Sequence, residues 1–183
     1  KNIKKKKSMK ISKGKIDKDI IDSSLKVIHS MKNSMTSKDW NCDIRTSNNL
    51  TYSILNVKGL LPLKFKIYEI IHSHMLNYDK FFDGMINVSW VNIYEKDFYQ
   101  EFHNHKDPVA KCFSGVAYLT PLASPIVFGI DETMEIKPEE GDVLVFEDDL
   151  LHRVLPNKSD ELRISLAFNY QKLILWDGIK ADL

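Results

Sequence analysis

Two histidines in this chain have a spacing that suits metal binding. His103 and His105 lie two positions apart, and in an extended chain the side chains of residues i and i+2 project to one side. Asp107 continues the same parity, so its carboxylate is a further candidate. Two imidazoles on one side of a strand suit a late first-row metal ion. A single His-x-His pair is by itself a weak indication of such a site.

A third histidine and an arginine follow in the second half of the chain. His152 comes 47 residues after His105, and Arg163 comes eleven residues after His152. Arg163 and Ser165 share a strand face, and a guanidinium beside a hydroxyl can hold a carboxylate through parallel hydrogen bonds. A metal with two or three protein ligands keeps positions open for a bidentate co-substrate and dioxygen. This order of residues predicts a metal site with a pocket for 2-oxoglutarate.

The other three histidines are not predicted to bind metal. His72 and His74 fall in a predicted helix, where residues i and i+2 point about 200° apart and cannot grip one ion. His29 lies in another predicted helix with no ligand type beside it. All three are interpreted as ordinary helix residues.

The elements that must position these residues are two helices followed by short strands. Apolar spacing predicts helices over 17–35 and 62–80 and a strand over 51–57. From residue 86 onward, turn residues separate short strands at intervals near ten residues. These strands are predicted at 86–94, 112–119, 125–130, 133–137, 142–147, 151–155 and 162–171. This pattern predicts an α+β fold with an antiparallel sandwich or barrel.

Residues 86–170 resemble the core of the Fe(II)/2-oxoglutarate-dependent oxygenase superfamily, with small bacterial and phage prolyl-hydroxylase-like members closest in pattern. The resemblance rests on short motifs in the family's order, at 99–105, 113–119, 141–146, His152 and 163–169. It implies a double-stranded β-helix core, also called jelly-roll or cupin-like, with the N-terminal helices packed outside. It also implies Fe(II) as the metal and 2-oxoglutarate and dioxygen as co-substrates.

The pair Asn92 and Tyr94 resembles the Asn-x-Tyr motif of the AlkB-like branch, in which both residues contact 2-oxoglutarate. In that branch the first metal ligand follows the tyrosine by nine residues, and His103 follows Tyr94 by nine. The resemblance therefore implies a co-substrate pocket formed by Arg163, Ser165, Asn92 and Tyr94. Tyr118 is a further candidate, either as a core residue or as a hydroxyl that reaches the co-substrate carboxylate.

The chain departs from the family's usual His-x-Asp/Glu…His triad. With His103 as the first ligand, the carboxylate position holds His105. Either the site consists of His103, His105 and His152, or the motif is shifted by two residues, so that His105-Lys106-Asp107 is the His-x-Asp and Asp107 rather than His105 supplies the second ligand. A neutral imidazole in place of a carboxylate raises the net charge of the site by one, which bears on activity more than on fold.

The resemblance implies hydroxylation of a C–H bond coupled to conversion of 2-oxoglutarate into succinate and CO₂. Two alternatives stay open at this point. The first is a cupin-like three-histidine enzyme that does not use 2-oxoglutarate, with Arg163 holding a substrate carboxylate. The second is a non-catalytic jelly-roll that binds a partner. The sequence does not name the primary substrate, although the prolyl-hydroxylase likeness favours a protein or an amino acid.

Charge is distributed unevenly along the chain. Residues 1–18 carry nine lysines and one aspartate, a local charge of +8, so the rest carries −7 of the net +1. This segment is predicted to be a flexible basic arm ahead of a single domain at 19–183, and nucleic acid is the partner that its charge suggests. No apolar run approaches the ~20 residues of a membrane span. With two distant cysteines and no secretory signal, a cytoplasmic location is expected.

Overall fold

The computed structural model describes residues 9–38, 44–79, 81–108, 112–121, 124–131 and 133–173. Within these ranges lie two α-helices, α1 (Lys18–Met31) and α2 (Leu61–Tyr78). The strands are β1 (Ile11–Lys15), β2 (Thr36–Lys38), β3 (Ile44–Thr46), β4 (Gly84–Tyr94), β5 (Gln100–His103), β6 (Cys112–Tyr118), β7 (Ile126–Phe128), β8 (Met134–Ile136), β9 (Asp142–Glu147), β10 (His152–Val154) and β11 (Arg163–Lys172).

The strands form two antiparallel sheets that enclose a common interior. The larger sheet has the order β1-β9-β6-β11-β4-β3-β2, and the smaller has the order β5-β10-β7-β8. The rings of Phe128 on β7 and Phe146 on β9 meet across the interior with centroids 4.9 Å apart. The predicted α+β fold with a jelly-roll core is therefore confirmed.

The two long strands of the larger sheet separate a polar interior from an apolar exterior. β4 and β11 pair so that Ile93 lies opposite Ile164 and Asn92 lies opposite Ser165. Ile93 and Ile164 belong to the main hydrophobic core, together with Ile67 of α2. Burying each such aliphatic side chain contributes about 1.5–3 kcal/mol relative to exposure. This packing holds the helices on the outside of the sheet, as predicted, and leaves alternate residues facing inward.

Both predicted helices are present, whereas the strand predicted at 51–57 is wrong. Ile54–Asn56 forms a short 3-10 helix instead, in which Ile54 and Leu55 are buried. The Ser89 hydroxyl accepts a hydrogen bond from the Leu55 N–H at 3.0 Å and lies 2.6 Å from the Ser53 hydroxyl. A side-chain hydroxyl thus accepts a hydrogen bond from a backbone N–H group that would pair with a neighbouring strand if this segment were a strand.

The flexible arm predicted for residues 1–18 is wrong in its second half. Residues 11–15 form β1, which pairs with β9 in antiparallel register from Ile11 opposite Phe146 to Lys15 opposite Asp142. α1 then begins at Lys18. Residues 1–8 lie outside the described residues, as do Trp40 and Cys42. Among the described residues, no helix combines the length and the apolar character needed to cross a membrane.

Candidate metal site

The five residues predicted to hold the co-substrate lie together on the inner face of the larger sheet. Arg163 pairs with Tyr94, and Ser165 pairs with Asn92 on one side and Tyr118 on the other. All five line one interior cavity, and the three predicted histidine ligands line the same cavity from the smaller sheet. The long-range pairing of β4, β6 and β11 produces this assembly.

His103, His105 and His152 form a compact cluster. His152 on β10 pairs directly with His103 on β5. His105 follows β5, and its backbone N–H donates to the Asp148 carbonyl at 2.8 Å, which ties this segment to the loop before β10. One ring nitrogen from each histidine lies within 4.8 Å of the other two. Three imidazole nitrogens that converge in this way can share one metal ion.

Two of the imidazoles are oriented by backbone carbonyls. Nδ1 of His103 lies 2.8 Å from the Glu101 carbonyl oxygen, and Nδ1 of His152 lies 2.9 Å from the Leu150 carbonyl oxygen. A carbonyl only accepts hydrogen bonds, so each Nδ1 carries the proton and each Nε2 keeps its lone pair. This arrangement fixes the tautomer of a histidine ligand before metal arrives.

Burial keeps the cluster neutral. Desolvation, together with the nearby His103, lowers the pKa of His152 to about 3 and that of His105 to about 4. Burial also lowers the pKa of His103, against the opposing effect of its hydrogen bond to Glu101. A metal binds the unprotonated imidazole, so the site is in its ligating form at neutral pH.

Asp107 does not join the cluster, despite its matching parity. Its Oδ2 accepts a hydrogen bond from Nε2 of Gln171 at 2.8 Å, and its backbone N–H donates to the Asp148 carboxylate at 3.1 Å. The geometry therefore brings together His103, His105 and His152. The Asp107 carboxylate lies against Gln171 of β11 instead. Three neutral nitrogen donors still fit a divalent late first-row ion such as Fe(II).

Arg163 lies at the base of the cavity and is 1% exposed. Its Nε and Nη1 make no hydrogen bond, and no ion pair to it occurs within the described residues. The guanidinium lies over the Tyr94 and Tyr118 rings, 4.4 and 5.4 Å from their centroids. A buried cation with unused donors is costly unless an anion completes it. The pocket therefore fits a carboxylate.

Two neutral groups beside Arg163 are also unsatisfied. The Tyr118 hydroxyl and Oδ1 of Asn92 are buried without a hydrogen-bond partner. Burial raises the pKa of Tyr118, so this hydroxyl remains a donor at neutral pH. The cavity has a volume of about 30 Å³, which is room for about two water molecules. A five-carbon dicarboxylate therefore enters only if these side chains move apart.

Two residues of the cavity were not predicted from the sequence as functional. Trp90 is half-buried and lines the cavity, with its ring 5.5 Å from that of His105. Its shared parity with Asn92 and Tyr94 was the pattern that could have identified it. Gln100 accepts a hydrogen bond from the Tyr94 hydroxyl at 3.0 Å. No local pattern marks Gln100, because its position depends on the pairing of β5 with β10.

The remaining histidines stay apart from the site. His29 and His72 are exposed. His74 is buried on α2, and its Nδ1 lies 2.8 Å from the Ser12 hydroxyl on β1. Their interpretation as helix residues without a metal role agrees with these positions.

Known proteins share a segment of this sequence and the overall fold. Residues 127–169, which include His152 and Arg163, match the family model described as putative 2OG-Fe(II) oxygenase. The predicted resemblance to the Fe(II)/2-oxoglutarate oxygenase superfamily is confirmed by this match and by the fold. A sequence search among curated proteins finds no match to this chain.

Solved structures share the fold at low sequence identity. The prolyl-4-hydroxylase from Pseudomonas putida superposes with a TM-score of 0.67 at 10% identity, covering 92% of this chain and 95% of that one. The viral collagen prolyl hydroxylase from Paramecium Bursaria Chlorella virus-1 gives 0.66 at 15% identity, with 90% and 97% covered. A prolyl hydroxylase from Trichoplax adhaerens gives 0.69 at 11% identity, with 90% and 84% covered.

Proposed function

We propose that this protein is an Fe(II)/2-oxoglutarate-dependent dioxygenase that hydroxylates a C–H bond. The observation that carries the proposal is the buried Arg163 guanidinium, whose Nε and Nη1 are unsatisfied in the same cavity as three convergent imidazoles. A metal site alone suits many reactions. A metal site with a buried cation at its base suits a ligand that chelates the metal at one end and carries a carboxylate at the other.

His103, His105 and His152 would hold the metal. Bound iron, with 2-oxoglutarate and dioxygen, supplies an oxidation of a C–H bond that yields succinate and CO₂. The chain's own contribution begins with ligation through three nitrogens whose tautomers are preset for His103 and His152 by backbone carbonyls. It continues with exclusion of water, because both sheets cover the cavity.

Arg163 would bind the distal carboxylate of 2-oxoglutarate. Ser165 and Tyr118 lie on the paired strands beside it and add hydroxyl donors. Asn92 and Tyr94 line the same cavity, and the Tyr94 hydroxyl is held by Gln100. These groups lie on β-strands rather than loops, so their backbones are fixed and the side chains alone adjust when the co-substrate enters.

One observation favours a second candidate function. The cluster contains three imidazoles and no carboxylate, which is also the donor set of a cupin-like enzyme that does not use 2-oxoglutarate. In that case Arg163 would hold a carboxylate of the primary substrate. The two candidates differ in whether 2-oxoglutarate shares the site with the substrate or competes with it.

The structural neighbours support a protein or amino-acid substrate. The Trichoplax adhaerens prolyl hydroxylase was solved with a peptide fragment of the hypoxia inducible factor oxygen degradation domain. The other two neighbours named above are also prolyl hydroxylases. We extend this substrate class to the present chain as part of the proposal.

An anaerobic titration tests the proposal. Fe(II) is added to the metal-free protein, followed by 2-oxoglutarate, and the visible charge-transfer band of the metal chelate is recorded. The band is expected in the wild type and lost in Arg163→Met. Arg153→Met is the matched control, because Arg153 is half-buried and lies over the Phe102 ring rather than in the cavity. Bound iron without a band in the wild type would refute the 2-oxoglutarate site and favour the cupin-like enzyme.

Single substitutions identify the second ligand. His105→Ala is expected to lower the affinity for Fe(II) by at least tenfold, measured by competition with a chelating dye. Asp107→Ala is expected to leave this affinity within about twofold, because its carboxylate is bonded to Gln171. The opposite result would assign the ligand to Asp107.

A further inference from the structure

A second cavity lies beside the histidine cluster, at the mouth of the barrel. It has a volume of about 310 Å³ and is lined by residues of β3, β4, β5 and β11 and of the segment after β5. His103 and His105 form part of its wall, so a molecule in this cavity would touch the candidate metal site. The larger volume makes it the natural place for a primary substrate.

The wall of this mouth cavity carries no formal charge. None of its ten lining residues is Lys, Arg, Asp or Glu, although 28% of the whole chain is charged. Its apolar part consists of Ile44, Val88 and the half-buried Trp90. A charged group that entered would lose hydration and gain no counter-charge, which is unfavourable. The cavity therefore discriminates against ions.

The polar part of the wall includes three carboxamides whose oxygens already accept hydrogen bonds. Oδ1 of Asn169 accepts from the Ser114 hydroxyl at 3.0 Å, and Oε1 of Gln100 accepts from the Tyr94 hydroxyl at 3.0 Å. Oδ1 of Asn104 lies 3.4 Å from the Lys106 N–H. The amino groups of these side chains are left as donors, and they match an oxygen acceptor on a ligand.

The strand register places Asn169 of this polar wall apart from the co-substrate pocket. Along the inner face of β11, Arg163 and Ser165 are followed by Ala167 and then Asn169. Ala167 lies opposite Trp90, and Asn169 lies opposite Val88 and Ser114. An apolar layer thus lies between Arg163 and Asn169, whereas Gln100 and Trp90 line both cavities. Fe(II) and the 2-oxoglutarate dianion cancel in charge, and the remaining charge of the loaded site, on Arg163, lies on the far side of this layer from Asn169.

We infer that the mouth cavity binds an uncharged group with an amide carbonyl, which Asn169, Gln100 and Asn104 hold against the Trp90 ring. This inference rests on the proposed function and specifies its substrate class. A carboxylate or an ammonium at the same place is excluded by the missing counter-charge. Asn169 is a specificity-determining residue in this arrangement.

A set of probes that differ only in charge tests the inference. N-acetyl-L-valinamide is neutral, N-acetyl-L-valine is anionic and L-valinamide at pH 6.5 is mainly cationic. Their affinities are measured anaerobically by ligand-observed NMR, on protein loaded with Fe(II) and 2-oxoglutarate and on metal-free protein. The neutral probe is expected to bind at least tenfold more tightly than either ion.

A charge substitution sharpens the test. Asn169→Asp keeps the size of the side chain and adds one negative charge to the cavity wall. The affinity ratio of neutral to cationic probe is expected to fall at least tenfold. Asn33→Asp is the matched control, since Asn33 is exposed after α1 and the same added charge should change the ratio less than twofold.

The outcomes separate this inference from the proposed function. Equal binding of the three probes, no binding of the neutral probe, or an unchanged ratio in Asn169→Asp would overturn the inference, even where the chelate band forms normally. Absence of the band would overturn the proposed function. The probe ratio on metal-free protein would still decide whether the cavity prefers a neutral amide.

Discussion

Among the described residues, two fully buried charges of the barrel differ in whether neighbouring groups satisfy their hydrogen bonds. Asp142, at the start of β9, is 0% exposed, and Arg163, at the start of β11, is 1% exposed. The Asp142 carboxylate accepts from the Glu139 N–H at 2.7 Å and lies 2.7 and 3.1 Å from the Lys13 and Lys15 ammonium groups. Nε and Nη1 of Arg163 have no such partner.

This difference separates a structural charge from a binding charge. Asp142 has its hydrogen bonds in the folded chain, so it ties β1 to β9 and needs no ligand. Arg163 is held by aromatic faces that support its position but leave donors unused. Burial alone does not indicate function. A buried charge whose hydrogen bonds are unmade points to a binding site.

The largest expected effect comes from removing the binding charge. Arg163→Met should weaken 2-oxoglutarate binding by about 2–5 kcal/mol, or about 30- to 5,000-fold, because a buried charge-assisted contact is lost. The same substitution should not lower the free energy of unfolding of the ligand-free protein, since it removes an uncompensated buried charge. Calorimetric titration and urea unfolding measure the two quantities. A loss of stability without a loss of affinity would reverse the assignment.

Removing the structural charge, Asp142, should lower stability and leave 2-oxoglutarate affinity unchanged, the opposite of what is expected for Arg163→Met. Asp142→Asn should lower the free energy of unfolding by about 1.5–3 kcal/mol, because the lost hydrogen bonds involve a charged group. Its effect on 2-oxoglutarate affinity should stay within about twofold, since Asp142 does not line the cavity. Urea unfolding and the same titration check this. A larger loss of affinity would show that the two regions are coupled.

Acid should remove the contribution of Asp142 to the free energy of unfolding, a contribution that Asp142→Asn lacks at every pH. Burial by itself would raise the pKa of Asp142, but the hydrogen bonds from Glu139, Lys13 and Lys15 outweigh it and hold the pKa below its usual range. The stabilisation is therefore complete above the unfolded pKa of about 3.9 and is lost as the pH falls through the folded pKa. The difference in unfolding free energy between wild type and Asp142→Asn should be constant from pH 7 to 5 and shrink below pH 4. A difference that grows on acidification would contradict this sign.

The Tyr118 hydroxyl tests the binding region on a smaller scale. Tyr118→Phe should weaken 2-oxoglutarate binding by about 0.5–1.5 kcal/mol, or about 2- to 13-fold, through loss of one neutral donor. The ligand-free protein should keep its stability or gain some, because the hydroxyl has no partner to lose. Calorimetric titration and urea unfolding are again the measurements. An unchanged affinity would make Tyr118 a core residue only.

The smallest effect is expected for Lys15, the exposed member of the ion pair with Asp142. The Lys15 side chain is 57% exposed, and Lys13 remains beside Asp142 in its absence. Lys15→Ala should therefore lower the free energy of unfolding by less than about 1 kcal/mol, and less still in 1 M salt. Urea unfolding at low and high salt checks both. An effect as large as that of Asp142→Asn would mean that Lys15 alone satisfies the carboxylate.

Much of the site could be predicted from the sequence because β4 and β11 are long strands with regular alternation. Outer positions such as Ile93 and Ile164 are apolar and inner positions such as Asn92 and Ser165 are polar, so parity identifies which residues share a face. His103 and His152 were predicted from their order. Their direct pairing in the smaller sheet agrees with it.

Parity failed where the strand ended. β5 stops at His103, and beyond it the backbone N–H groups of His105 and Asp107 bond to Asp148, some forty residues away. These contacts bring His105 to the cluster and turn Asp107 toward Gln171. No spacing rule within 103–107 contains that information.

The sequence by itself determined the α+β class, the two helices, the long strands and which residues are candidates for the site, because local periodicity records which face of an element is buried. Only the tertiary structure decided which buried charge, Asp142 or Arg163, has its hydrogen bonds made within the protein. Lys13 and Lys15 looked like part of a solvated arm until β1 paired with β9 and brought them to Asp142, 127 residues from Lys15. The sequence predicted Arg163 as a binding residue, but only the structure showed that its neighbours are aromatic rings rather than carboxylates. The partners of a charged residue depend on which distant strands pair, and local sequence patterns do not reveal that pairing.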